Sequence, residues 1–447
     1  MKLRSFRHGI HPSEDGKAYT KEAPIRAFRP TGEAVYPLNQ HKGAPAKPIV
    51  EVGDAIVVGQ MLAAPDGFLS AAICSAVSGT VKAIEPRRAA DGKKTMAVVV
   101  DNDGLFTPLP TLGQERDAAS LSTKDLLAII RDAGIVGQGG AGFPTHVKLT
   151  MKSGIQPDTI LVNAAECEPY LTCDYRLLLE QPDRLLGGLQ VLLQLFPQAR
   201  AVIGIEDNKR EVVRVLKEKA SSMTRISVQL LKTKYPQGGE RMLIHAVTGR
   251  DIHAGKLPID VGCVVLNVST VVSIWLAVCR QTPQITTVMS ITGDGAAAPC
   301  NLAVPVGSSF REVLEAGGGM KGEPEKILSG GPLTGTALID LDVPVQKTTS
   351  AILLMSKDEV ARWEPTACIR CGRCVRACPS FIMPVSLSQL ADCGDFYAFT
   401  RLHGMECIEC GCCSYVCPAT RRLTQSMKHG KREVNATREA MAMQFKK

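Results

Sequence analysis

The chain is 447 residues long, which predicts about three domains at roughly 150 residues each and excludes a single small module. Its 45% hydrophobic and 21% charged residues are typical of soluble proteins with substantial cores, and its 4% aromatic residues argue against stacking of single-stranded nucleic acid. The net charge is +8, but residues 421–447 hold eight Lys or Arg against two Glu, so the remaining chain lacks the basic face of a nucleic-acid-binding protein.

The first residues and the apolar stretches indicate where the protein works. Residues 1–16 contain charged side chains and no apolar core segment, so they lack the features of a signal peptide. The stretch 263–278 is interrupted by polar residues and is shorter than the ~20 apolar residues that a membrane span needs. We therefore expect a cytoplasmic protein, peripheral if it works at a membrane.

Residues 1–115 are predicted to form an extended arm followed by a small β domain. The arm, 1–45, contains five prolines and no sustained period. Segments 50–60 and 76–81 alternate in polarity and turn at glycines, which predicts short strands. They resemble the hammerhead halves of biotinyl and lipoyl carrier domains, a barrel-sandwich hybrid. The turn between the halves carries no lysine to modify, which favours a structural role.

Residues 120–285 alternate helical and strand patterns, as a parallel α/β domain does. The predicted strands are 159–162, 201–205 and 264–266, and the predicted helices are 126–130, 176–195 and 209–217. This pattern predicts a doubly wound, Rossmann-like sheet with ligand-binding loops at the ends of its strands. Residues 286–350 change to a β pattern with a helix at 310–315, which fits a β-grasp domain.

A glycine-rich loop in the α/β region is a candidate phosphate or flavin site. Gly137, Gly139 and Gly142 satisfy G-x-G-x-x-G, but residues 125–133 before them read as a helix, whereas the dinucleotide fingerprint follows a strand. Clustered glycines still let backbone N–H groups approach a phosphate or a flat ring, and Lys148 can neutralise charge. A plain turn is nearly as common a use of such a loop.

Ten of the sixteen cysteines lie between Cys368 and Cys417. In a long chain without a signal peptide, metal ligation is a better interpretation than disulfides. Two runs share the spacing C-x2-C-x2-C-x3-C-P of bacterial two-cluster ferredoxins, in which the fourth cysteine of each run serves the other cluster. The expected ligands are Cys368, Cys371, Cys374 and Cys417 for the first [4Fe-4S] cluster, and Cys407, Cys410, Cys413 and Cys378 for the second.

Zinc ribbons also use paired C-x2-C hooks and are the alternative metal site. Cys393 and Cys412 fall outside the pattern and are predicted not to be ligands. Two clusters imply an electron relay, and each cluster passes one electron at a time. A group that takes up electrons in pairs and releases them singly must therefore precede the clusters. This ferredoxin-type region is predicted at 355–422.

Residues 423–447 are predicted to form a basic tail that is either solvated or docked on an acidic partner or lipid surface. Their apolar positions form no clean helical stripe.

Four segments of the α/β region resemble the NADH-oxidising flavoprotein subunit of respiratory complex I. GQGGAGFPT at 137–145, followed by Lys148, resembles its FMN loop, and NAAECEP at 163–169 resembles its acidic flavin and NADH segment. The other two are LNVST at 266–270 and YPQGGE at 235–240. The chain departs from that family at Gln138, Ala165 and Gly239, which stand where it has Arg, Asp and Glu.

The order of the predicted units is similar to that of the RnfC family, which belongs to the Rnf ion-translocating electron-transport complexes. IEDNK at 205–209 and DVPV at 342–345 extend the resemblance over nearly the whole chain. The resemblance implies a multidomain α/β and α+β fold with a barrel-sandwich hybrid, a Rossmann-like FMN/NADH domain, a β-grasp (SLBB-like) domain and a two-cluster ferredoxin-like helical domain. It implies non-covalent FMN, NADH as substrate and two [4Fe-4S] clusters. It also implies a peripheral subunit of a translocase on the cytoplasmic face of the bacterial inner membrane, with other Rnf subunits as direct partners and ferredoxin as an indirect one.

The same resemblance implies the site residues. Glu166, Glu168 and Lys148 are expected to be catalytic. The residues expected to bind FMN or NADH are Gly137, Gly139, Gly140, Gly142, Phe143, Lys148, Asn163, Glu166, Glu168, Tyr235, Gly238, Gly239, Glu240, Asn267 and Thr270.

Two alternative functions stay open. One is an electron-transfer adaptor with working clusters and no FMN/NADH site of its own, which Gln138 and Ala165 favour. The other is the first subunit of Na⁺-pumping quinone reductases, which has a similar N-terminal architecture and against which the eight patterned cysteines argue.

Overall fold

The computed structural model describes residues 3–151 and 155–444, with side chains described as far as residue 438. The described strands form four sheets. Among the described residues, no helix has the length and apolarity that a membrane crossing requires.

The N-terminal region contains two small sheets around one core. Its strands are β1 (Ile25–Ala27), β2 (Ala34–Pro37), β3 (Lys47–Pro48), β4 (Ala55–Ile56), β5 (Met61–Ala64), β6 (Ile73–Cys74), β7 (Gly79–Arg88) and β8 (Lys94–Asn102). One sheet has the order β2-β8-β7-β4 and the other β3-β5-β6, and both are antiparallel. Tyr36, Leu62, Ile73 and Val98 are fully buried in the core that the two sheets share.

The middle region is a parallel sheet covered by helices. Its elements are α1 (Thr123–Asp132), α2 (Thr145–Leu149), β9 (Thr159–Ala164), α3 (Cys173–Glu180), α4 (Pro182–Leu195), β10 (Arg200–Glu206), α5 (Arg210–Lys219), β11 (Ile226–Leu231), α6 (Glu240–Thr248), β12 (Cys263–Asn267) and α7 (Val268–Arg280). The order β11-β10-β9-β12 is parallel throughout, which confirms the predicted parallel sheet.

Two predictions for this region were wrong in detail. The helix expected at 176–195 is two helices, because Pro182 has no N–H to continue the first and instead begins the second. The edge strand β11 was missed, since most of its residues are partly exposed and give no apolar run.

The third region forms a mixed six-stranded sheet. Its elements are β13 (Thr286–Thr292), β14 (Cys300–Pro305), α8 (Phe310–Ala316), β15 (Lys326–Ser329), β16 (Thr336–Ala337) and β17 (Ala351–Met355). The order is β1-β14-β13-β17-β15-β16. The N-terminal arm therefore is not detached, because Ile25 pairs with Asn301 in a parallel bridge between β1 and β14. The sheet also extends past the expected boundary at residue 350.

The C-terminal region is helical. Its helices are α9 (Glu359–Arg362), α10 (Arg373–Ala377), α11 (Pro384–Asp392), α12 (Phe396–Arg401), α13 (Cys412–Tyr415) and α14 (Leu423–Gln444), with a short 3-10 helix at Gly404–Glu406. In the other regions, short 3-10 helices are described at Asp15–Tyr19, Ala118–Ser120 and Pro258–Val261. In α14, Met427 and Val434 are buried against α11 and α12. The expectation of a separate tail from residue 423 is therefore wrong as far as Val434, which belongs to this helical core.

Candidate functional site

A cleft of about 770 Å³ opens at the carboxyl ends of the parallel strands β9 and β12, where Asn163 and Asn267 line it. This volume lies within the range of small-molecule and cofactor sites. Its walls come mainly from the α/β region, the third region and the second cysteine run, and Ala90 and Asp91 of the N-terminal region also line it. Of the expected FMN/NADH residues, the lining includes Gly139, Gly140, Asn163, Glu166, Glu168, Tyr235, Gly238, Gly239, Glu240 and Asn267. The structure therefore brings together residues more than 100 positions apart.

The glycine loop enters this cleft from the end of α1, not from a strand, as its sequence context predicts. A Cβ atom added at Gly140 would meet no other atom within 4 Å, so this backbone faces open space in the cleft. The loop is fixed from behind by α7, since the Gln138 N–H donates to Thr270 Oγ1 (3.0 Å) and Gln138 Nε2 donates to Ser273 Oγ (2.8 Å). Thr270 thus supports the loop from outside the lining.

Other expected residues lie behind the cleft wall. Lys148 Nζ donates to Glu240 Oε1 (3.0 Å) and to the Val265 carbonyl (2.9 Å), so this ammonium group braces two walls of the site. Gly137 and Gly142 close the turn, in which the Gly137 N–H donates to the Phe143 carbonyl (2.9 Å). Gly137, Gly142, Phe143, Lys148 and Thr270 are not among the lining residues.

Glu166 is partly buried and lines the cleft. Its carboxylate accepts hydrogen bonds from the backbone N–H groups of Asp174 (2.7 Å) and Tyr175 (3.2 Å), at the N-terminus of α3. Burial raises the pKa of Glu166 to about 7, in spite of the opposing effect of the Lys17 ammonium. A carboxyl group with this pKa can hold or release a proton near neutral pH.

Lys17, from the N-terminal arm, organises the loop that carries Glu166. Its Nζ donates to the carbonyl oxygens of Glu166 (2.8 Å), Glu168 (3.0 Å) and Leu171 (2.8 Å). The side chain is buried, and burial lowers its pKa. Sequence analysis missed Lys17 because it lies about 150 positions from its partners in a proline-rich segment without periodicity.

Glu168 joins the α/β region to the third region. Its carboxylate accepts hydrogen bonds from the backbone N–H groups of Leu333 (2.7 Å) and Thr334 (3.0 Å). A Cβ at Gly331 would lie 2.0 Å from Glu168 Cγ, so only glycine allows this approach. Burial raises the pKa of Glu168.

Buried polar groups in the cleft wall and behind it connect its loops. Asp174 accepts hydrogen bonds from Asn267 Nδ2 (2.6 Å) and Ser269 Oγ (2.9 Å), and burial raises its pKa. Lys209 Nζ donates to the Ala165 carbonyl (2.6 Å) and to Glu206 (3.3 Å). Sequence analysis did not single out Asp174, and it quoted Glu206 and Lys209 only within the segment 205–209.

The two cysteine runs have the same local backbone. Arg370 and Glu409 hold equivalent positions, and both adopt the left-handed conformation, with φ of 55° and 57°. The Arg370 N–H donates to Cys368 Sγ, and the Glu409 N–H donates to Cys407 Sγ, each at 3.4 Å. Hydrogen bonds to cysteine sulfur are among the features that set the potential of iron–sulfur clusters. Both loops therefore have the same hydrogen bond from a backbone N–H group to the sulfur of the first cysteine in the run.

The predicted ligand sets draw cysteines from both runs. Cys378 of the first run lines one pocket together with Cys407, Cys410 and Cys413 of the second. Burial raises the pKa of Cys374, and the thiol of Cys417 in the second run also acts to raise it. Among the described residues, no group of three or more His, Cys, Asp or Glu converges tightly enough to hold a single metal ion.

The two remaining cysteines differ in environment. Cys393 is exposed, whereas Cys412 is fully buried and lines the pocket of the second set.

The second cysteine pocket adjoins the cleft. Ile408 and Cys410 line both spaces. Tyr235, which is 2% exposed, packs in one apolar cluster with Cys167 on the cleft side and with Cys410 and Cys412 on the cysteine side. Arg241 of α6 forms a 2.6 Å ion pair with Glu406 next to Cys407, which ties the helical region to the cleft.

A cleft at the carboxyl ends of parallel strands and an adjoining pair of ferredoxin-like cysteine runs define a flavoprotein-type electron-transfer protein. Comparison with known families agrees. Residues 4–105 match the RnfC barrel sandwich hybrid domain, residues 130–276 match the Nuo51 FMN-binding domain, and residues 360–383 match a 4Fe-4S binding domain.

The chain belongs to the RnfC family of ion-translocating oxidoreductase complexes. It is 43% identical to the C subunit of the proton-translocating ferredoxin:NAD(+) oxidoreductase complex of Clostridium ljungdahlii over 388 residues, which are 87% of this chain and 84% of that one. It is 38% identical to the C subunit of the Na(+)-translocating ferredoxin:NAD(+) oxidoreductase complex of Acetobacterium woodii over 98% of this chain and 99% of that one. The family resemblance expected from the sequence is thereby confirmed.

Among solved structures, the fold is similar to a chain of the NAD+-reducing [NiFe]-hydrogenase in the air-oxidized state. The TM-score is 0.50 at 19% identity, over 74% of this chain and 64% of that chain. At this identity the similarity concerns the fold alone.

Proposed function

We propose that this chain is the NADH-reacting subunit of a membrane-bound, ion-translocating ferredoxin:NAD⁺ oxidoreductase. In this proposal it exchanges electrons with NADH through FMN in the cleft and relays them through two [4Fe-4S] clusters. The observation that carries the proposal is the shared wall of the two spaces, where Ile408 and Cys410 line both the cleft and the pocket of the second cysteine set.

The residues of the cleft fit a flavin. The open backbone at Gly140 allows close approach of a ring or a phosphate, and Asn163, Tyr235 and Asn267 supply polar groups around it. A bound flavin supplies the conversion between hydride transfer and single-electron transfer. The match of residues 130–276 to an FMN-binding domain supports this assignment.

The acidic residues have distinct roles in this proposal. Glu166, whose pKa is raised to about 7, can hold a proton at the floor of the cleft. Glu168 and Lys148 are positioning residues, because the carboxylate of Glu168 is committed to Leu333 and Thr334 and the ammonium of Lys148 to Glu240 and Val265. The lining residues named above are the proposed FMN and NADH contacts.

The second cysteine set, which adjoins the cleft, is proposed to exchange electrons with it. The first set is proposed to lie farther from the cleft and nearer to solvent, since its member Cys371 is exposed. This set consists of Cys368, Cys371, Cys374 and Cys417. We further propose β-grasp and two-cluster ferredoxin-like folds for the third and fourth regions, with unit bounds 1–115, 120–285, 286–355 and 356–444, the last of which includes all of α14. Other subunits of the complex are the proposed partners, at the cytoplasmic face of the inner membrane.

The test is cofactor content and bleaching by NADH in the anaerobic full-length protein. About eight iron atoms per chain are expected, because two cubanes hold four each. Cys410→Ala should lower the content to about four, whereas Cys393→Ala, a matched exposed cysteine, should leave it unchanged. Bound FMN and bleaching of its absorbance by NADH are expected. Full iron without flavin or NADH response would favour the adaptor, and equal iron loss in Cys393→Ala would overturn the ligand assignment.

A further inference from the structure

The two cysteine loops differ sharply in what surrounds them. In the second loop, Ile408 and Cys410 face the cleft. The equivalent residues of the first loop, Ile369 and Cys371, are exposed, and Ile369 is 68% accessible. One loop of the pair is therefore turned inward to the cleft and the other outward to solvent.

The outward loop is also cationic. Residues 365–378 contain Arg370, Arg373 and Arg376 and no Asp or Glu, and all three arginines are exposed. Within 3–151 and 155–438 none of these guanidinium groups forms an ion pair with a carboxylate, and Arg376 Nη2 instead donates to the Cys371 carbonyl (3.1 Å).

The inward loop provides the contrast. Glu409, which is equivalent to Arg370, forms an ion pair with Lys431 at 2.7 Å. Charge is therefore compensated inside the molecule at one loop and left uncompensated at the other.

We propose that Ile369, Arg370, Cys371, Arg373 and Arg376 form an exit face, which docks an acidic electron-transfer surface of another protein of the complex. This inference rests on the proposed function, because it assigns the first cluster as the point where electrons leave or enter the chain. Ile369 supplies an apolar contact at the centre, and the arginines supply a rim that attracts and orients a carboxylate-bearing partner. Unpaired arginines of this kind raise association rates at low ionic strength.

An anionic lipid surface also attracts arginine. The protein partner is favoured because the face is built around an exposed cluster ligand, and lipid headgroups accept no electrons. A lipid target is nevertheless an outcome that the experiment can detect.

The experiment measures electron transfer from the full-length protein, with its clusters reduced by dithionite, to membranes that carry the rest of the complex but lack this chain. Dithionite makes the measurement independent of FMN and NADH, so failure of the proposed function shows separately in NADH bleaching. The variants are R370E/R373E and the charge-keeping R370K/R373K. R214E/K217E, on exposed residues of α5, is the matched control. Iron content is determined for each.

The wild-type rate should fall as ionic strength rises. At low ionic strength R370E/R373E should be slower by about tenfold or more, while R370K/R373K and the control stay close to wild type. A wild-type rate independent of salt overturns the proposal even if R370E/R373E loses iron. A loss in R214E/K217E equal to that in R370E/R373E also overturns it. Binding to anionic vesicles that R370E/R373E abolishes, with the transfer rate unchanged, assigns the face to lipid instead.

Discussion

At the scale of single residues, Lys17 and Glu166 fix the backbone of the loop at residues 166–171, which we call the acidic loop. One ammonium group holds three carbonyl oxygens of residues 166–171, and one carboxylate receives two N–H groups at the start of α3. The loop backbone is thus fixed from both sides, which prepares the floor of the cleft before any ligand arrives. Glu166 itself adopts a left-handed backbone conformation, with φ of 47°, that these contacts maintain.

Replacement of Lys17 by Met should destabilise the protein and weaken flavin retention. Each buried carbonyl left without a donor costs about 1–3 kcal/mol. The measurement is the free energy of unfolding in denaturant together with FMN content. Lys21→Met is the control, because Lys21 forms a half-exposed ion pair with Glu211, which is worth about 0–1 kcal/mol. Equal effects of the two substitutions would contradict the role assigned to Lys17.

Glu166 should make stability depend on pH in an identifiable direction. The unfolded chain releases this proton near pH 4.3, whereas the folded chain retains it until about pH 7. Between these values the folded state binds more protons, so the free energy of unfolding should decrease as pH rises. We expect Glu166→Gln to lack this decrease. The difference between the wild-type and variant free energies of unfolding should therefore decrease as pH rises through this range. A difference that is flat from pH 4 to 8 would contradict the raised pKa.

At the scale of elements, α14 extends the core of the cysteine region. Leu423, Met427 and Val434 lie on one face, and Gly430 completes that face, since a Cβ atom added there would lie only 3.0 Å from Ala391 Cβ and Phe399 Cε2. The apolar stripe was not evident in the sequence because a glycine occupies one of its positions. α14 therefore stabilises the region that contains the two cysteine runs.

Met427→Ala should lower the free energy of unfolding by about 2–5 kcal/mol, since it leaves a cavity in a fully buried position. Arg432→Ala, on the exposed side of the same helix, should change it by less than about 0.5 kcal/mol. Thermal or denaturant unfolding of the two variants, followed by cluster absorbance, is the measurement. A small effect of Met427→Ala would restore the solvated-tail interpretation.

The elements also show which features a sequence can reveal. The sequence could predict cluster ligands in the cysteine runs because such ligands follow a local spacing. It could predict β9, β10 and β12 because buried parallel strands are continuous apolar runs. The positions of Lys17 and Lys148 depend on contacts between distant segments, which no local pattern specifies. The sequence therefore revealed the chemical groups of the cleft better than the residues that hold them.

At the scale of the whole molecule, the regions lie along the electron route that we propose, from the cleft to the exit face. The route passes through Tyr235 and the second cysteine set to the first, and Arg241 and Glu406 fix the helical region against the α/β region. The pseudo-symmetry of the two cysteine runs gives the proposed relay its direction in space, because equivalent loops face the cleft at one end and solvent at the other.

This route predicts that loss of the first cluster and loss of the second cluster affect reduction by NADH differently. In Cys371→Ala the second cluster remains beside the cleft, so NADH should still reduce it at close to the wild-type rate. In Cys410→Ala the remaining first cluster is separated from the cleft, so dithionite should reduce it but NADH should do so at least about tenfold more slowly. Rapid mixing with NADH, with cluster reduction followed by electron paramagnetic resonance of frozen samples, compares the two. Fast reduction by NADH in Cys410→Ala and slow reduction in Cys371→Ala would reverse the order of the clusters, and with it the assignment of the exit face.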